Sequence, residues 1–505
     1  MVLFIISAVL ALFALGFGLF LTIQFVRNRI PPIPFNKLII RLLVVIGVFT
    51  LMFATMMISI YLWGNIKPKA YELTAAIVGG LLVGFLGSVS LFSFILHYYG
   101  GGEDKGITKG MDKWLFMALM ASFPLFLISI MFLTDGFANY VHYPLVNGIS
   151  FTKGFVTPAS ADGANIAFYA LCILSGAIYV YFLCDHKFYL QYGKHGILES
   201  TFLVAFPAGI IGARIFYVIG NWHEFASREW YSIFMIWEGG LTILGGALMG
   251  IVVGVAWFMW RNKSYNIWLA VDIIVPTILI AQAVGRWGNF FNIEVYGQLS
   301  SVDNWWWLPR FIVNNMMFDN SGALIGDNMM HVPLFFIECI TNLLGYFVLA
   351  HVFGIALRKH TELGDLAFGY IIWYGLTRLF MEPLRDAEFN MGNNGYWSWI
   401  WSLAFVIGGS LAIGVNHLVR YLMNRKEVNK LEKIIETACV AVVALTLIVV
   451  GAVMMSSSSF SKELVLNKFN WGLIVLALGI ALLMGLLITL PPLLIKKKEV
   501  VASAE

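Results

Sequence analysis

The chain is poor in charge: only 12% of its 505 residues are Asp, Glu, Lys or Arg, against 60% that are hydrophobic, and the mean hydropathy is +0.83. Water cannot be the main solvent of such a surface, which excludes an ordinary soluble domain and leaves the bilayer. Cysteine is equally scarce. Cys172, Cys184, Cys339 and Cys439 each lie within or at the end of an apolar run, with no metal-site or redox-pair spacing, so no disulfide framework is expected. There is no nucleotide-binding loop, dinucleotide fingerprint or metal-ligand cluster, so neither a cofactor nor a metal is expected. His223, His331 and His351 are scattered. The formal charge of +4 is too small to suggest a nucleic-acid partner. The first apolar run lacks a basic leader and a small-residue cleavage site, so it reads as a retained helix.

What is abundant is apolar length. Crossing roughly 30 Å of hydrocarbon takes about 20 helical residues. Runs of about that length recur at roughly 3–26, 37–63, 72–98, 114–134, 164–184, 198–220, 240–260, 267–285, 333–357, 366–381, 397–420, 434–456 and 470–495. The expected fold is an all-α polytopic transmembrane bundle of about 13 helices. Loops after odd-numbered helices, including Arg27 to Arg41, Lys105 to Lys113, Arg420 to Lys433 and Lys496 to Lys498, hold about 21 Lys and Arg, and the other loops about eight. The positive-inside rule therefore places the N-terminus outside and the C-terminus in the cytoplasm.

Three parts separate along the chain. Residues 1–150 form an accessory four-helix region with few intramembrane charges, residues 160–425 hold the polar motifs, and residues 430–505 add two plain helices and a short cytoplasmic tail. Two outward loops are long, roughly 135–162 and 297–331. The second carries Trp305, Trp306 and Trp307, which read first as an interfacial anchor.

Arg214, Arg286 and Arg378 lie inside or at the ends of helices, all in the expected outer half of the membrane. A guanidinium there costs several kcal/mol unless paired or wetted. Three at one depth, with Glu238, Glu294, Glu338 and Glu382 near the same face, point to a polar cavity. Arginine suits bidentate phosphate recognition, and a phospholipid headgroup is the anion available at that depth.

The densest motif is GRWGNFFNIEVYG, Gly285 to Gly297, with Arg286, Asn289, Asn292 and Glu294 inside nine positions. Its glycines allow close backbone approach, and the segment could equally be a helix cap and turn. In YGLTRLFMEPLRD, Tyr374 to Asp386, Arg378 and Glu382 share one helical face and could simply neutralise each other. The segments GARIFYVIGNW, Gly212 to Trp222, and IWEGGLTILGG, Ile236 to Gly246, carry small residues that in membranes usually serve helix packing.

In this order, across about 260 residues, the motifs resemble the prolipoprotein diacylglyceryl transferases. The family pattern Gly-Arg-x-Gly-Asn-Phe-x-Asn-x-Glu-x-x-Gly is met at every fixed position from Gly285 to Gly297. The pattern Tyr-Gly-x-x-Arg-x-x-x-Glu-x-x-Arg is met by Tyr374, Gly375, Arg378, Glu382 and Arg385. Arg214 matches the arginine before the glycine pairs, Tyr169 corresponds to the tyrosine of the first core helix, and Val332 to Glu338 is a degraded His-Pro-x-x-x-Tyr-Glu. The resemblance implies a multi-pass protein of the bacterial cytoplasmic membrane whose active site faces the extracytoplasmic side. It would transfer diacylglyceryl from phosphatidylglycerol to the lipobox cysteine of a prolipoprotein signal peptide, the first step of lipoprotein maturation. Arg286, Arg378, Tyr169 and Glu294 would then be catalytic, and Arg214, Asn289, Asn292, Glu238, Glu382, Arg385 and Gly297 would bind substrate.

The chain also departs from the family. Leu244 stands where a histidine proposed to take the thiol proton is usual, Gln298 where an arginine is common, and Ile293 and Val332 replace a glycine and a histidine; His331 lies one position away. The resemblance therefore assigns no base. Tyr169, a carboxylate, or a thiol made acidic by the arginines remain alternatives. Leu244 supports a second reading, a non-catalytic phospholipid-binding or transport protein derived from this family. A secondary transporter fits less well, because the two halves show no repeat.

Overall fold

In hydrocarbon a backbone amide has no water to bond, so long apolar segments satisfy themselves as helices. The computed structural model describes residues 2–27, 34–64, 70–100, 106–133, 143–145, 148–150, 168–226, 228–234, 242–292, 295–317, 324–386, 396–424, 429–457 and 467–494. Thirteen main helices run through them. They are α1 Val2–Arg27, α2 Phe35–Gly64, α3 Ala70–Tyr99, α4 Lys109–Leu133, α5 Phe168–Tyr192, α6 Glu199–Gly220, α7 Ile243–Arg261, α8 Ile267–Asn292, α9 Leu334–Phe347, α10 Asp365–Met381, α11 Tyr396–Asn424, α12 Lys430–Ser456 and α13 Lys468–Met484. Each expected apolar run falls on one of them. Among the described residues ten stretches are long and apolar enough to cross a bilayer, so this is a polytopic helical membrane protein. The others are α5, which carries Asp185, His186 and Lys187 in its last third, α7, whose apolar part is Gly245–Arg261, and α10, only 17 residues long.

Sequential antiparallel pairing builds the bundle, and small residues set how closely the helices approach. A methyl group on Gly212 of α6 would lie 2.6 Å from the Gly245 carbonyl oxygen of α7, and one on Gly375 of α10 would lie 2.6 Å from the Ser402 carbonyl oxygen of α11. Gly245 thus serves the packing role that its sequence suggests. Gly176 of α5 packs on the backbone of Ala281 in α8, where a methyl group would lie 3.1 Å from the carbonyl oxygen. Helix α9 continues as a π-helical turn, Val348–Ala356.

The four leading helices have their own core, in which Leu38, Leu42, Phe92 and Leu96 are buried. Their junction with α5 is aromatic. Phe116 of α4 stacks on His186 with centroids 3.8 Å apart, and the His97 ring lies 4.8 Å from that of His195. His97 Nδ1 meets Asp112 at 2.7 Å, and His195 Nδ1 meets Asp185 at 2.7 Å.

A polar clasp fixes one end of α8 and α10. The buried Asp272 carboxylate of α8 accepts from the backbone amides of Gly364, Leu366 and Ala367, at 2.7, 3.1 and 3.2 Å, across the N-terminus of α10. Those amides have no partner within their own helix, so a carboxylate from a neighbour satisfies them. Asp365 in turn meets His417 Nε2 at 2.6 Å and Asn416 Nδ2 at 2.8 Å, joining α11 to the same clasp.

The loop after α8 forms a small cap over the other end. Leu299–Ser301 pairs antiparallel with Met329–His331, and Phe290, Ile312, Met330 and Phe335 bury one another beneath it. Trp305 packs against this cluster and donates from Nε1 to Ser300 Oγ at 3.0 Å, whereas Trp306 and Trp307 point outward.

Asp272→Ala should strand three buried amides at a cost of about 1–3 kcal/mol. A lowered melting temperature of the detergent-solubilised protein is the expected result, with Asp272→Asn less affected because its carbonyl oxygen can still accept.

Candidate functional site

Three helices end together beneath the cap, and each brings charge into the membrane. Arg286 lies near the end of α8, Glu338 in the second turn of α9, and Arg378 near the end of α10. Just past α10 the turn Glu382–Leu384 supplies Glu382 and leads to Arg385. None of these side chains could stay buried alone, and the structure gathers them around one carboxylate.

That carboxylate is Glu338, 5% exposed. Its Oε2 takes an ion pair with Arg286 Nε. Its Oε1 faces Arg378 Nη1 at 3.5 Å and Arg385 Nη2 at 3.8 Å. Glu382, 1% exposed, lies 3.5 Å from Arg378 Nη2 and 4.0 Å from Arg385 Nε. The Glu382 contacts are ion pairs without hydrogen-bond geometry, since neither of its oxygens has a hydrogen-bond partner among the described residues. Arg286 also donates from Nη1 to Asn289 Oδ1 at 3.3 Å.

Among the described residues, three guanidiniums thus converge on two carboxylates in a buried place. The carboxylates make the cluster stable enough to exist, and a guanidinium has five N–H donors, more than one carboxylate can take up. A phosphate diester supplies one negative charge and offers acceptors that match those donors.

Backbone contacts between the two motifs hold Arg385 in position. Gly297 N donates to Val332 O at 2.9 Å, Gln298 N to Leu384 O at 3.0 Å, and Gln298 Nε2 to Pro383 O at 2.9 Å. Gly297 bridges Arg385 in antiparallel fashion. A methyl group on Gly297 would come within 2.8 Å of Leu384 O, so only glycine lets the segments meet there. Gly297, expected to bind substrate, is a point of close backbone contact in the structure. His331 is buried, stacks on Tyr296 with centroids 3.7 Å apart and contacts Gly297 O through Nδ1 at 3.0 Å.

Of the three arginines expected to share a cavity, Arg286 and Arg378 meet at Glu338 and are joined there by Arg385. Arg214 makes contacts elsewhere among the described residues. Its Nε and Nη2 donate to the carbonyls of Ile233 and Ser232 at 2.8 and 2.7 Å, and its guanidinium lies 5.2 Å from the Phe225 ring. It ties α6 to the turn Trp230–Phe234, because depth along a helix does not determine which way a side chain points. Glu238 and Glu294 lie outside the described residues, as do the side chains of Tyr169, Asn292 and Leu244.

Glu338 is the site residue that sequence reasoning underrated. It counted only as one of four acids near the outer face, in the most degraded of the motifs. A glutamate inside a membrane helix was the available signal.

A profile of the family described as prolipoprotein diacylglyceryl transferase matches residues 159–415. A phosphatidylglycerol–prolipoprotein diacylglyceryl transferase of Streptococcus suis is 36% identical over 224 residues, 44% of this chain and 77% of the relative. One from Streptococcus agalactiae is 34% identical over 245 residues, 48% of this chain and 89% of the relative. One from Streptococcus equi subsp. zooepidemicus is 36% identical over 243 residues, 48% of this chain and 84% of the relative. The matched segment contains every member of the Glu338 cluster and more than half of the chain, so this protein belongs to the prolipoprotein diacylglyceryl transferase family.

Proposed function

We propose that this membrane protein transfers the diacylglyceryl group of phosphatidylglycerol to the lipobox cysteine thiol of prolipoproteins, the first step of lipoprotein maturation, and does so at the Glu338 cluster. The observation that carries this reading is the convergence of Arg286, Arg378 and Arg385 on Glu338 and Glu382. The lipid phosphate completes the cluster in this reading. Arg286 and Arg378 act as the phosphate clamp, and Asn289, which already meets Arg286, orients the headgroup. Residues 160–425 form the transferase core, with the four leading and two trailing helices as additions.

The thiolate attacks the glycerol carbon that bears the phosphate. The sulfur–carbon bond forms as the carbon–oxygen bond breaks, and its electron pair leaves on glycerol phosphate. Negative charge therefore grows on the phosphate in the transition state, where preorganised guanidiniums gain the most. Their mutual repulsion, offset by carboxylates in the free protein, is relieved further as that charge develops. Arg214 supports the site from a distance by fixing the turn Trp230–Phe234 on α6. The distribution of Lys and Arg among the loops supports an extracytoplasmic site in the bacterial cell membrane.

Mass spectrometry of a lipobox peptide incubated with the purified protein and phosphatidylglycerol reads the reaction directly. Arg286→Ala should lower thioether yield at least about 100-fold, the range lost with a transition-state donor, and Arg286→Lys should recover little of it because the planar fork is missing. Near-normal transfer by Arg286→Ala would remove the clamp assignment.

Orientation has its own test in a variant whose four native cysteines are replaced. A cysteine at Trp306 should react in intact cells with a membrane-impermeant maleimide, and one at Lys430 only after the cells are opened. Both native side chains are exposed, so access is decided by the side of the membrane. The reverse pattern would place the site on the cytoplasmic side.

A further inference from the structure

Two adjoining cavities of about 340 and 330 Å³ lie at the opposite end of the bundle from the arginine cluster. They share the wall formed by Gly196, Glu199 and Leu203. Glu199 opens α6, and Tyr265 in the second cavity precedes α8, so Arg286 lies about 30 Å further along at 1.5 Å per residue. The first cavity is walled by aromatic side chains of α3 in the leading bundle and of α5 and α6, including Tyr98, Tyr99, Tyr181 and Phe202. The second is lined by Lys194, Ser200 and Arg261.

Lys194, Arg261 and Glu199 are exposed, and among the described residues none of their side chains meets an ion-pair partner. Two cations in one cavity and a carboxylate on the wall facing an aromatic cavity make a dipolar receptor. The Glu199 carboxylate folds toward Gly196, whose added methyl group would lie 3.4 Å from Oε2; Gly196 has φ +77, which glycine adopts without strain. Exposed Leu203, at 62%, continues the shared wall onto the membrane-facing side of α6.

We infer that these cavities form a second lipid site, which takes a zwitterionic phospholipid bearing an ammonium group. The phosphate lies between Lys194 and Arg261, as in basic pockets between transmembrane helices. The ammonium lies against Glu199 and the tyrosine faces, which attract cations, and an acyl chain runs along Leu203 and Phe202. A purely anionic lipid would leave Glu199 facing like charge, so charge complementarity selects the zwitterion. The site joins α3 of the leading bundle to α5 and α6, so its lipid fastens the added helices to the transferase core.

The test is native mass spectrometry of the full-length protein with phosphatidylethanolamine, alone and against competitors. The wild type should retain one phosphatidylethanolamine, and Glu199→Gln should weaken retention about tenfold, on the scale of one lost ammonium contact. Lys194→Ala/Arg261→Ala should weaken it at least as much. Diacylglyceryl transfer in a phosphatidylethanolamine-free assay should stay at the wild-type level in Glu199→Gln, and unchanged melting in detergent shows that the variant folds. Retention unchanged in both variants would overturn the site. Displacement by phosphatidylglycerol as effective as by phosphatidylethanolamine would show an anionic-lipid site instead. Displacement at equal concentration by water-soluble glycerophosphoethanolamine would show a free-headgroup site.

Discussion

The charged end of this protein depends on one carboxylate shared by three guanidiniums. A guanidinium buried in a membrane protein costs several kcal/mol unless it is paired, so Arg286, Arg378 and Arg385 could not share a buried place without an acid such as Glu338. Guanidiniums wholly sequestered by carboxylates would have little left to offer a phosphate. With no acid at all they would repel one another apart. Sharing Glu338 among three of them lies between these limits, stabilising the arginines in the free protein while leaving them attractive to a growing phosphate charge.

Such a cluster works only if its members keep their spacing, and they come from three helices. At about 1.5 Å per residue, Arg286 lies about 21 Å along α8 from Asp272, and Arg378 about 17 Å along α10 from Ala367. The Asp272 carboxylate binds these helices together at one end, and Glu338 does so at the other. Glycine contacts hold the sides, through Gly176 on α8 and Gly375 on α11. Sliding α10 along α8 would break both polar fastenings at once, so the register of the two arginines is set by ties that lie far apart along the helix.

How much of this was legible in the sequence follows from what each feature depends on. Helix positions were readable because bilayer thickness fixes their length, and Arg286, Arg378, Glu382 and Arg385 were readable because motif order fixes their identity. Arg214 joins the same group by its depth and by its match to the family's arginine before the glycine pairs. Depth is one coordinate; rotation about the helix is another, and it turns this guanidinium toward Ser232 and Ile233. Glu338 was underrated for the complementary reason, since its importance lies in the convergence of α8, α9 and α10, which no local spacing encodes. Gly297 shows a third case: its place in the pattern was clear, but its closeness to Leu384 and Val332 appears only once the two motifs meet.

The helices outside the matched segment, residues 159–415, touch it in two different ways. The leading bundle meets α5 and the loop after it through ring contacts at the end far from the arginines. The trailing pair lies along the charged end instead: Leu473 and Ala477 of α13 pack with Leu379, Trp399 and Val406, and Trp471 faces Phe380 with centroids 6.1 Å apart. Leu379 and Phe380 directly follow Arg378. On a helix with 3.6 residues per turn they lie about 100° and 200° round from the arginine, so packing Leu379 against α11 and α13 favours a rotation of α10 that presents Arg378 to Glu338. The outermost helices of the chain thereby help to aim a side chain that they do not touch.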